Sequence, residues 1–281
     1  MGFGCNAAAV VGTRIINSPR EKLIAILTNC FVPCNGRFPF LITVATIFIS
    51  GSIAGIFSGL VAAIVVMFVV LLGILLTLLV SKILSKTILK GLPSSFTLEL
   101  PPYRTPQIGK ILIRSLFDRT LFVLGKAISI AAPAGIVIWL FSNINVGGIS
   151  ILDFIANALN PFAKLIGLDG YILTGFILGI PANEIVLPII LMGYLKNKEL
   201  IDIENVAVIG NILTANGWNL LTAINVMIFT LLHFPCGTTL LTIKKETKSI
   251  KWTIVSFLLP TLCGIIVCFI TTQTYNLINL I

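Results

Sequence analysis

The chain has 281 residues, of which 57% are hydrophobic and 10% are charged, and its mean hydropathy is +1.08. An average soluble domain carries about 25% charged residues, so this composition excludes a soluble globular protein. The length is better divided into membrane spans of about 20 apolar residues than into soluble domains. We expect an all-α fold, a polytopic transmembrane helix bundle with broken and re-entrant helices.

The net charge of +9 comes from basic residues in three segments, 14–37, 82–119 and 244–251. Lys and Arg in short loops mark the cytoplasmic side of a membrane protein. The excess therefore predicts topology, and we expect no nucleic-acid partner. The six cysteines form no C-x-x-C pair and no zinc-finger spacing, so they predict no disulfide framework.

The first unit is expected over residues 1–81. Residues 38–81 carry no charge and are long enough for two spans, which we expect to join in a hairpin near residues 58–60. Glycines at 51, 55 and 59 have the spacing that favours close helix packing. Residues 82–120 follow as a basic cytoplasmic linker that contains the proline-rich stretch ELPPYRTP.

A second unit is expected over residues 121–243. It opens with a span at 121–141 that Pro133 should kink, because proline removes one backbone hydrogen bond. Residues 142–170 are predicted to be an external loop with one amphipathic helix. The last unit, 244–281, should hold a basic loop and the final span.

Two apolar segments of the second unit are predicted to be interrupted. Pro181 and Pro188 lie within residues 171–195, which predicts a broken helix. Residues 205–234 contain an Asn-Gly turn signal, which predicts a short half-helix, a break and a longer helix. If residues 171–195 cross the membrane toward the cytoplasm, residues 205–234 must enter and leave it on the cytoplasmic side. Only then is the basic loop at residues 244–251 cytoplasmic. We therefore expect a re-entrant hairpin there.

The two halves share a weak internal echo. The GFxxN pattern at residues 2–6 resembles GIxxN at 179–183, and VPC at 32–34 resembles FPC at 234–236. Inverted repeats with matching helix breaks are typical of secondary transporters, which bind substrate at those breaks. The echo therefore predicts an inverted repeat.

Polar side chains in apolar segments are the candidates for function. Glu184 lies far in the sequence from any other charged residue. A carboxylate at the bilayer centre costs roughly 3 kcal/mol, so Glu184 is either functional or a protonated structural residue. Asn183 is either a carbonyl ligand or a helix cap. The single histidine, His233, is either a ligand or a hydrogen-bonded residue at a span end. A single histidine excludes a two-histidine metalloprotease site. The sequence also has no phosphate-binding glycine loop, which excludes a P-loop nucleotide site.

Thiols next to helix breaks suggest a metal. Cys34 and Cys236 each follow a proline, and Cys5 lies in a glycine-rich break. Thiolates suit ferrous iron, zinc or cuprous copper, so thiols with carboxylate and amide oxygens point to a transition metal rather than to Na⁺ or Mg²⁺. The alternative is that a buried cysteine is a plain apolar residue, which we favour for Cys263 and Cys268.

Five motifs, in order along the chain, resemble those of the bacterial ferrous iron transport protein B family. They are MGFGCNAAAVVGTR from residue 1, PCNGRFP at 33–39, LELPPYRTP at 98–106, PANEIVLP at 181–188 and LLHFPCGTTLLTIKKET at 231–247. The resemblance covers the end of the first gate region, the LPPYR linker and the second gate region. The family's GTP-binding domain has no counterpart, which leaves an internal start, a fragment or a split system as expectations.

The resemblance implies a multi-pass protein of the bacterial inner membrane that imports Fe²⁺ as its substrate. It implies that Cys5, Cys34 and Cys236 are gate cysteines that handle the metal, with Glu184 in the second gate motif. No permanently bound cofactor and no enzyme activity are expected. GTP would act only through the missing domain or a partner chain, and small cytosolic accessory proteins and a homo-oligomer remain open. Many relatives have Ser-Ala where this chain has Asn-Gly at residues 35–36.

Two other functions remain open at this point. A nucleoside carrier shares the gate module and would need hydrogen-bonding groups, which the asparagines of residues 205–225 offer. A non-transporting membrane scaffold would dock soluble partners through residues 82–119.

Overall fold

A computed structural model describes residues 2–51, 57–89, 107, 109, 113, 117, 121–146, 148–196 and 205–279. Within these residues the fold is almost entirely α-helical, apart from an antiparallel pair of strands, β1 (Asn145–Val146) and β2 (Ile149–Ser150). The predicted all-α class is confirmed. Most of the predicted linker, including the LPPYR motif, lies outside the described residues.

The helices of the first half are α1 (Asn6–Gly12), α2 (Pro19–Thr28), α3 (Phe38–Ala45) and α4 (Ser58–Lys86). Those of the second half are α5 (Phe122–Asn143), α6 (Ile151–Leu165), α7 (Gly170–Leu178), α8 (Val186–Leu195), α9 (Val206–Ala215), α10 (Leu220–Leu232), α11 (Gly237–Thr247) and α12 (Ile250–Ile278). Short 3-10 turns occupy Thr13–Ile15, Asn29–Phe31, Asn35–Arg37 and Asn183–Ile185, and a π-helical stretch, Thr46–Ser50, extends α3. Side chains of Ser18, Asp169 and Asn219 accept backbone N–H bonds at the starts of α2, α7 and α10, so capping fixes where these helices begin.

Four helical stretches of the described chain are long and apolar enough to cross a membrane. They are Pro19–Ser50, Ser58–Lys86, Leu220–Thr247 and Ile250–Ile278. A fifth is counted if α6 and α7, which meet at 111°, form one bent span. Large apolar side chains such as Phe68 and Leu262 are exposed on the long helices, as expected where lipid covers the protein. The chain is a multi-pass membrane protein.

Three basic segments meet at one end of the bundle, which we call the basic end. Glu246 in α11 pairs with Arg14 at 2.5 Å and with Lys22 at 3.5 Å. Arg20 donates to the carbonyl of Ser85 at 3.4 Å, which brings the end of α4 to the same place. This arrangement agrees with the prediction that these segments share one side of the membrane.

Helices α7 and α8 form a hairpin, whereas the re-entrant hairpin was predicted for residues 205–234, whose α10 joins α11 in a candidate span. Tyr194, at the end of α8, donates a hydrogen bond to Asp169, at the start of α7. The rings of Tyr171 and Tyr194 lie 5.4 Å apart. The two ends of the hairpin are therefore adjacent, and the chain reverses at the break around Pro181.

Residues 205–234 do form the predicted half-helix, turn and longer helix, as α9 and α10. Trp218, after the turn, donates from Nε1 to the hydroxyl of Tyr194 at 2.7 Å. The turn therefore lies at the open end of the α7–α8 hairpin, and α10 with α11 runs from there to the basic end. Pro188 does not break α8, because it lies in the first turn, where a missing N–H is tolerated.

The loop between the first two spans comes earlier than predicted. Residues 58–60 belong to the first turn of α4, and nothing would lie within 4 Å of a Cβ at Gly59. The glycine that permits close packing is Gly73, where a Cβ would come within 2.5 Å of the Phe31 carbonyl oxygen. Of the other predicted packing glycines, Gly51 ends the π-helical stretch and Gly55 lies outside the described residues.

The two halves run in opposite directions with respect to the basic end, which is the arrangement that an inverted repeat requires. In the first half, α1 runs from the break at residues 2–6 to the basic end, and α2 with α3 crosses away from that end through the break at 32–34. In the second half, α8 runs from the break at 179–183 to the opposite end, and α10 with α11 crosses toward the basic end through the break at 234–236. Two half-helices and two broken spans therefore surround one central region.

A polar clamp fixes α12 against this core. The buried Asn225 donates to the carbonyl of Ile166 at 3.1 Å and to the Thr272 hydroxyl at 2.8 Å, and it accepts from Thr271 at 2.5 Å. Such bonds stabilise helix contacts in lipid, where an unpaired polar group is costly. Cys268 is fully buried beside Asn225, in agreement with the core role predicted for it.

Candidate functional site

The breaks of each half are joined by matching backbone hydrogen bonds. In the first half, the N–H of Asn35 donates to the carbonyl of Gly4 at 3.1 Å. In the second half, the N–H of Gly237 donates to the carbonyl of Ile180 at 2.7 Å. These bonds satisfy backbone groups that the helix breaks leave free, as non-helical backbone within a membrane requires.

A polar chain crosses between the halves at these breaks. Asn183 of the second half places its Nδ2 3.7 Å from the Sγ of Cys34 in the first half. The Oδ1 of the same amide lies 3.3 Å from Nε2 of His233. Asn183 and His233 are buried and Cys34 is half-buried. The structure therefore brings together two residues that the sequence predicted as site residues, and it adds His233.

The hydrogen bonds of His233 determine what the Asn183 amide can do. Nδ1 of His233 faces the carbonyls of Thr230 and Phe229 at 2.8 and 3.1 Å, so this nitrogen carries a proton. In a neutral imidazole, Nε2 then presents a lone pair, which an amide NH₂ can satisfy. Rotation of the amide by half a turn gives His233 that donor and turns the Asn183 oxygen toward Cys34. The amide oxygen is then the end that is available to the thiol.

Glu184 is exposed at the break and rests on Gly36. A Cβ at Gly36 would lie 2.8 Å from Oε1 of Glu184, so the missing side chain leaves room for the carboxylate. Gly36 follows Cys34 by two residues in the chain. The carboxylate of Glu184 therefore lies against the segment that carries Cys34.

The other two predicted cysteines each stand directly before a helix. Cys236 precedes α11, and its Sγ lies 3.2 Å from the Thr239 hydroxyl. Cys5 precedes α1 and is exposed. In the part of the chain that the structure describes, no three His, Cys, Asp or Glu side chains form a metal cage.

Arg37 is a residue that sequence reasoning missed. It was assigned to a cytoplasmic basic segment, but its side chain is 1% exposed and lies within the bundle. Its two terminal nitrogens donate to four main-chain carbonyls, and the thiols of Cys30, Cys34 and Cys236 are close enough to interact with its charge. The C-x-x-R-x-P motif was the available signal.

Asn6 is a second missed residue, and the internal echo could have identified it. It stands where Asn183 stands in the other half, and the residues before the two asparagines, Cys5 and Ala182, have nearly the same extended backbone conformation. Asn6 is 2% exposed, and its Oδ1 has no hydrogen-bond partner among the described residues. Asn6 therefore holds a buried amide oxygen that is free for a ligand.

Comparisons with known proteins agree with this geometry. A family model described as "Ferrous iron transport protein B C terminus" matches residues 66–118, and the model Gate, described as "Nucleoside recognition", matches residues 124–250. The Fe(2+) transporter FeoB of Staphylococcus aureus (strain MSSA476) is 32% identical over 288 residues, which cover 99% of this chain. The chain belongs to the ferrous iron transport protein B family. The family resemblance of the motifs is thereby confirmed.

Two other relatives carry the same name. The Fe(2+) transporter FeoB of Synechocystis sp. (strain ATCC 27184 / PCC 6803 / Kazusa) is 25% identical over 98% of the chain, and that of Methanocaldococcus jannaschii is 26% identical over 99%. The chain spans 40% of the Staphylococcus aureus protein, 43% of the Synechocystis protein and 41% of the Methanocaldococcus jannaschii protein. No solved structure matches it. The matched portion is the C-terminal membrane part of ferrous iron transport protein B.

Proposed function

We propose that this chain forms the membrane pathway of a ferrous iron transporter, in which Fe²⁺ passes between the two inverted halves. The observation that carries the proposal is the 3.7 Å approach of the Asn183 amide to the Cys34 thiol. One donor comes from each half, and they meet where the helices are broken. Relatives that match nearly the whole chain are named Fe(2+) transporters.

The donors around the breaks suit a borderline divalent metal. Cys34 and Cys236 supply sulfur, Asn183 supplies an amide oxygen and Glu184 supplies a carboxylate. Sulfur with oxygen favours Fe²⁺ over Na⁺ or Mg²⁺. Cys5 precedes the half-helix of the first half and would take up the ion on that side. A chain of incomplete sites suits a permeating ion, which has to leave as well as enter.

The remaining expectations follow from the family. The chain acts in the bacterial inner membrane, and GTP acts through a GTP-binding domain rather than through these residues. It has no enzyme activity of its own. Residues 1–81 and 121–243 supply the two gate units, the 82–120 linker contacts cytosolic partners, and residues 244–281 add the last span.

A nucleoside carrier is less well supported, because four of the five asparagines in residues 205–225 are used in the fold. Asn205 and Asn219 cap helices, and Asn216 donates to the Ile212 carbonyl at 2.8 Å. Asn225 is saturated by the α12 clamp. Excess uridine or adenosine should therefore leave metal uptake unchanged, and competition by either would favour the carrier.

The test is Fe²⁺ uptake by cells that express the chain at its own locus, with the variants Cys34→Ser, Cys236→Ser and Glu184→Gln. Each should lower the uptake rate at unchanged protein level. Cys263→Ser in α12 is the matched control and should keep the wild-type rate. Wild-type uptake by all three site variants would sink the assignment, and partner binding without any metal flux would favour a scaffold.

A further inference from the structure

Arg37 occupies a cage of four carbonyl oxygens drawn from both broken spans. Nη1 donates to the carbonyls of Cys30 at 3.2 Å and Leu231 at 2.9 Å. Nη2 donates to those of His233 at 3.2 Å and Phe234 at 3.1 Å. The first carbonyl follows the end of α2, and the other three lie at the end of α10.

The cage has the composition of a cation site. The C-terminal end of a helix carries a partial negative charge, and here two such ends point at one guanidinium. In transporters with broken helices, unwound carbonyls and half-helix C-termini bind the coupling cation. The ion pairs of the described residues involve Glu246 and not Arg37, so helix ends rather than a carboxylate balance the charge of Arg37.

The position of the cage links it to the candidate pathway. Arg37 lies three residues after Cys34, and Phe234 lies two residues before Cys236. The contacts that the guanidinium makes to Leu231, His233 and Phe234 therefore fix the spacing between the two cysteine-bearing breaks. While Arg37 fills the cage, no mobile cation can use its four oxygens.

We propose that Arg37 is the tethered, resident cation of this carbonyl cage, where it locks the two broken spans together and excludes mobile cations. The exclusion rests on the proposed function, because it leaves the thiol, amide and carboxylate donors as the only ligands for the transported ion. The lock does not depend on which ion is carried. Arg37 is thus a positioning residue and not a ligand.

The first test compares the thermal unfolding midpoints of the purified chain in detergent for Arg37→Lys and Arg37→Gln. A lysine still brings a cation to the cage, whereas glutamine brings only a neutral amide on a shorter side chain. We expect the midpoint of Arg37→Gln to fall below that of Arg37→Lys by about 2 °C or more. Equal midpoints for the two variants would overturn the proposal, since the charge would then have no role.

The second test supplies the cation from solution. Methylguanidinium at about 10 mM should raise the midpoint of Arg37→Ala, because a ligand that binds the folded state stabilises it. The same concentration of tetramethylammonium, which donates no hydrogen bond, should not. Arg14→Ala, which removes an exposed arginine, is the matched control and should show no response. A midpoint of Arg37→Ala that ignores methylguanidinium would overturn the resident-cation assignment.

Uptake separates this proposal from the function on which it partly rests. Arg37→Ala should lose at least tenfold in Fe²⁺ uptake, and methylguanidinium should restore part of it, because the added guanidinium refills the cage. If the wild-type chain carries no Fe²⁺, the proposed function fails while the midpoints still decide the lock. If the wild type carries Fe²⁺ and Arg37→Ala does so equally well, the exclusion is overturned.

Discussion

Glu184 of the second half rests on Gly36 of the first half, and no side chain at position 36 separates them. A Cβ there would lie 2.8 Å from Oε1 and 3.1 Å from Cγ of Glu184. The Glu184 side chain is exposed and flexible, so it can move when position 36 is enlarged. The size of residue 36 therefore controls where the carboxylate stands relative to Cys34.

Enlarging residue 36 should lower Fe²⁺ uptake in steps. Gly36→Ala requires a small shift of the Glu184 side chain and should change uptake by less than about twofold, because the nearest atom is the end of that flexible side chain. Gly36→Val should displace the carboxylate and reduce uptake by about tenfold, as loss of an outer metal partner typically does. Gly135→Val, where nothing lies within 4 Å of a Cβ, is the control. Equal uptake by Gly36→Val and the wild type would remove Glu184 from the pathway.

Replacing the amide between the halves should impair transport more than folding. Asn183→Ala removes the contacts to Cys34 and His233, and we expect a loss of uptake of about 10-fold or more. Asn211→Ala, which removes an exposed asparagine near a helix end, should keep the wild-type rate. Radioactive iron uptake measures both, with protein level determined by immunoblot. A drop in protein level equal to the drop in uptake would show that Asn183 is only structural.

The sequence was sufficient to predict the helices and their breaks but not the path of the chain between them. Pro181 and the Asn216–Gly217 turn mark breaks that composition alone reveals. Whether a broken segment crosses or returns depends on contacts between its ends, here Tyr194 with Asp169. These residues are 25 positions apart and carry no local signal of pairing, so length suggested a crossing.

The sequence predicts the candidate site from the thiols, prolines and acidic residue that occur together at the helix breaks. It did not predict the buried charge of Arg37 beside that site. Counting charges assigns each arginine to solvent, and Arg37 is an exception because carbonyls from residues 231–234 surround it. Those carbonyls come from the distant half of the chain. Asn6 was missed for a related reason, since its importance lies in its equivalence to Asn183.

Breaking the clamp on α12 should destabilise the bundle. Asn225→Ala leaves the hydroxyls of Thr271 and Thr272 without their partner and removes the bond to the Ile166 carbonyl. We expect the free energy of unfolding to fall by about 1–3 kcal/mol. Thermal unfolding in detergent measures this loss. The exposed Asn211→Ala should leave the midpoint unchanged, and a midpoint equally unchanged in Asn225→Ala would contradict the clamp.

The contact between α4 and the first break should not tolerate even a methyl group. A Cβ at Gly73 would lie 2.5 Å from the carbonyl oxygen of Phe31 and 3.0 Å from Cδ1 of Leu231. The first of these atoms belongs to the backbone beside the Arg37 cage, so it cannot move without shifting the broken span. Gly73→Ala should therefore lower the free energy of unfolding by about 1–3 kcal/mol, although alanine favours helix more than glycine. Gly59→Ala in the same helix is the control, because a Cβ there meets no neighbour, and its thermal midpoint should equal or exceed that of the wild type. If the midpoint of Gly73→Ala rises as well, α4 does not press on the break.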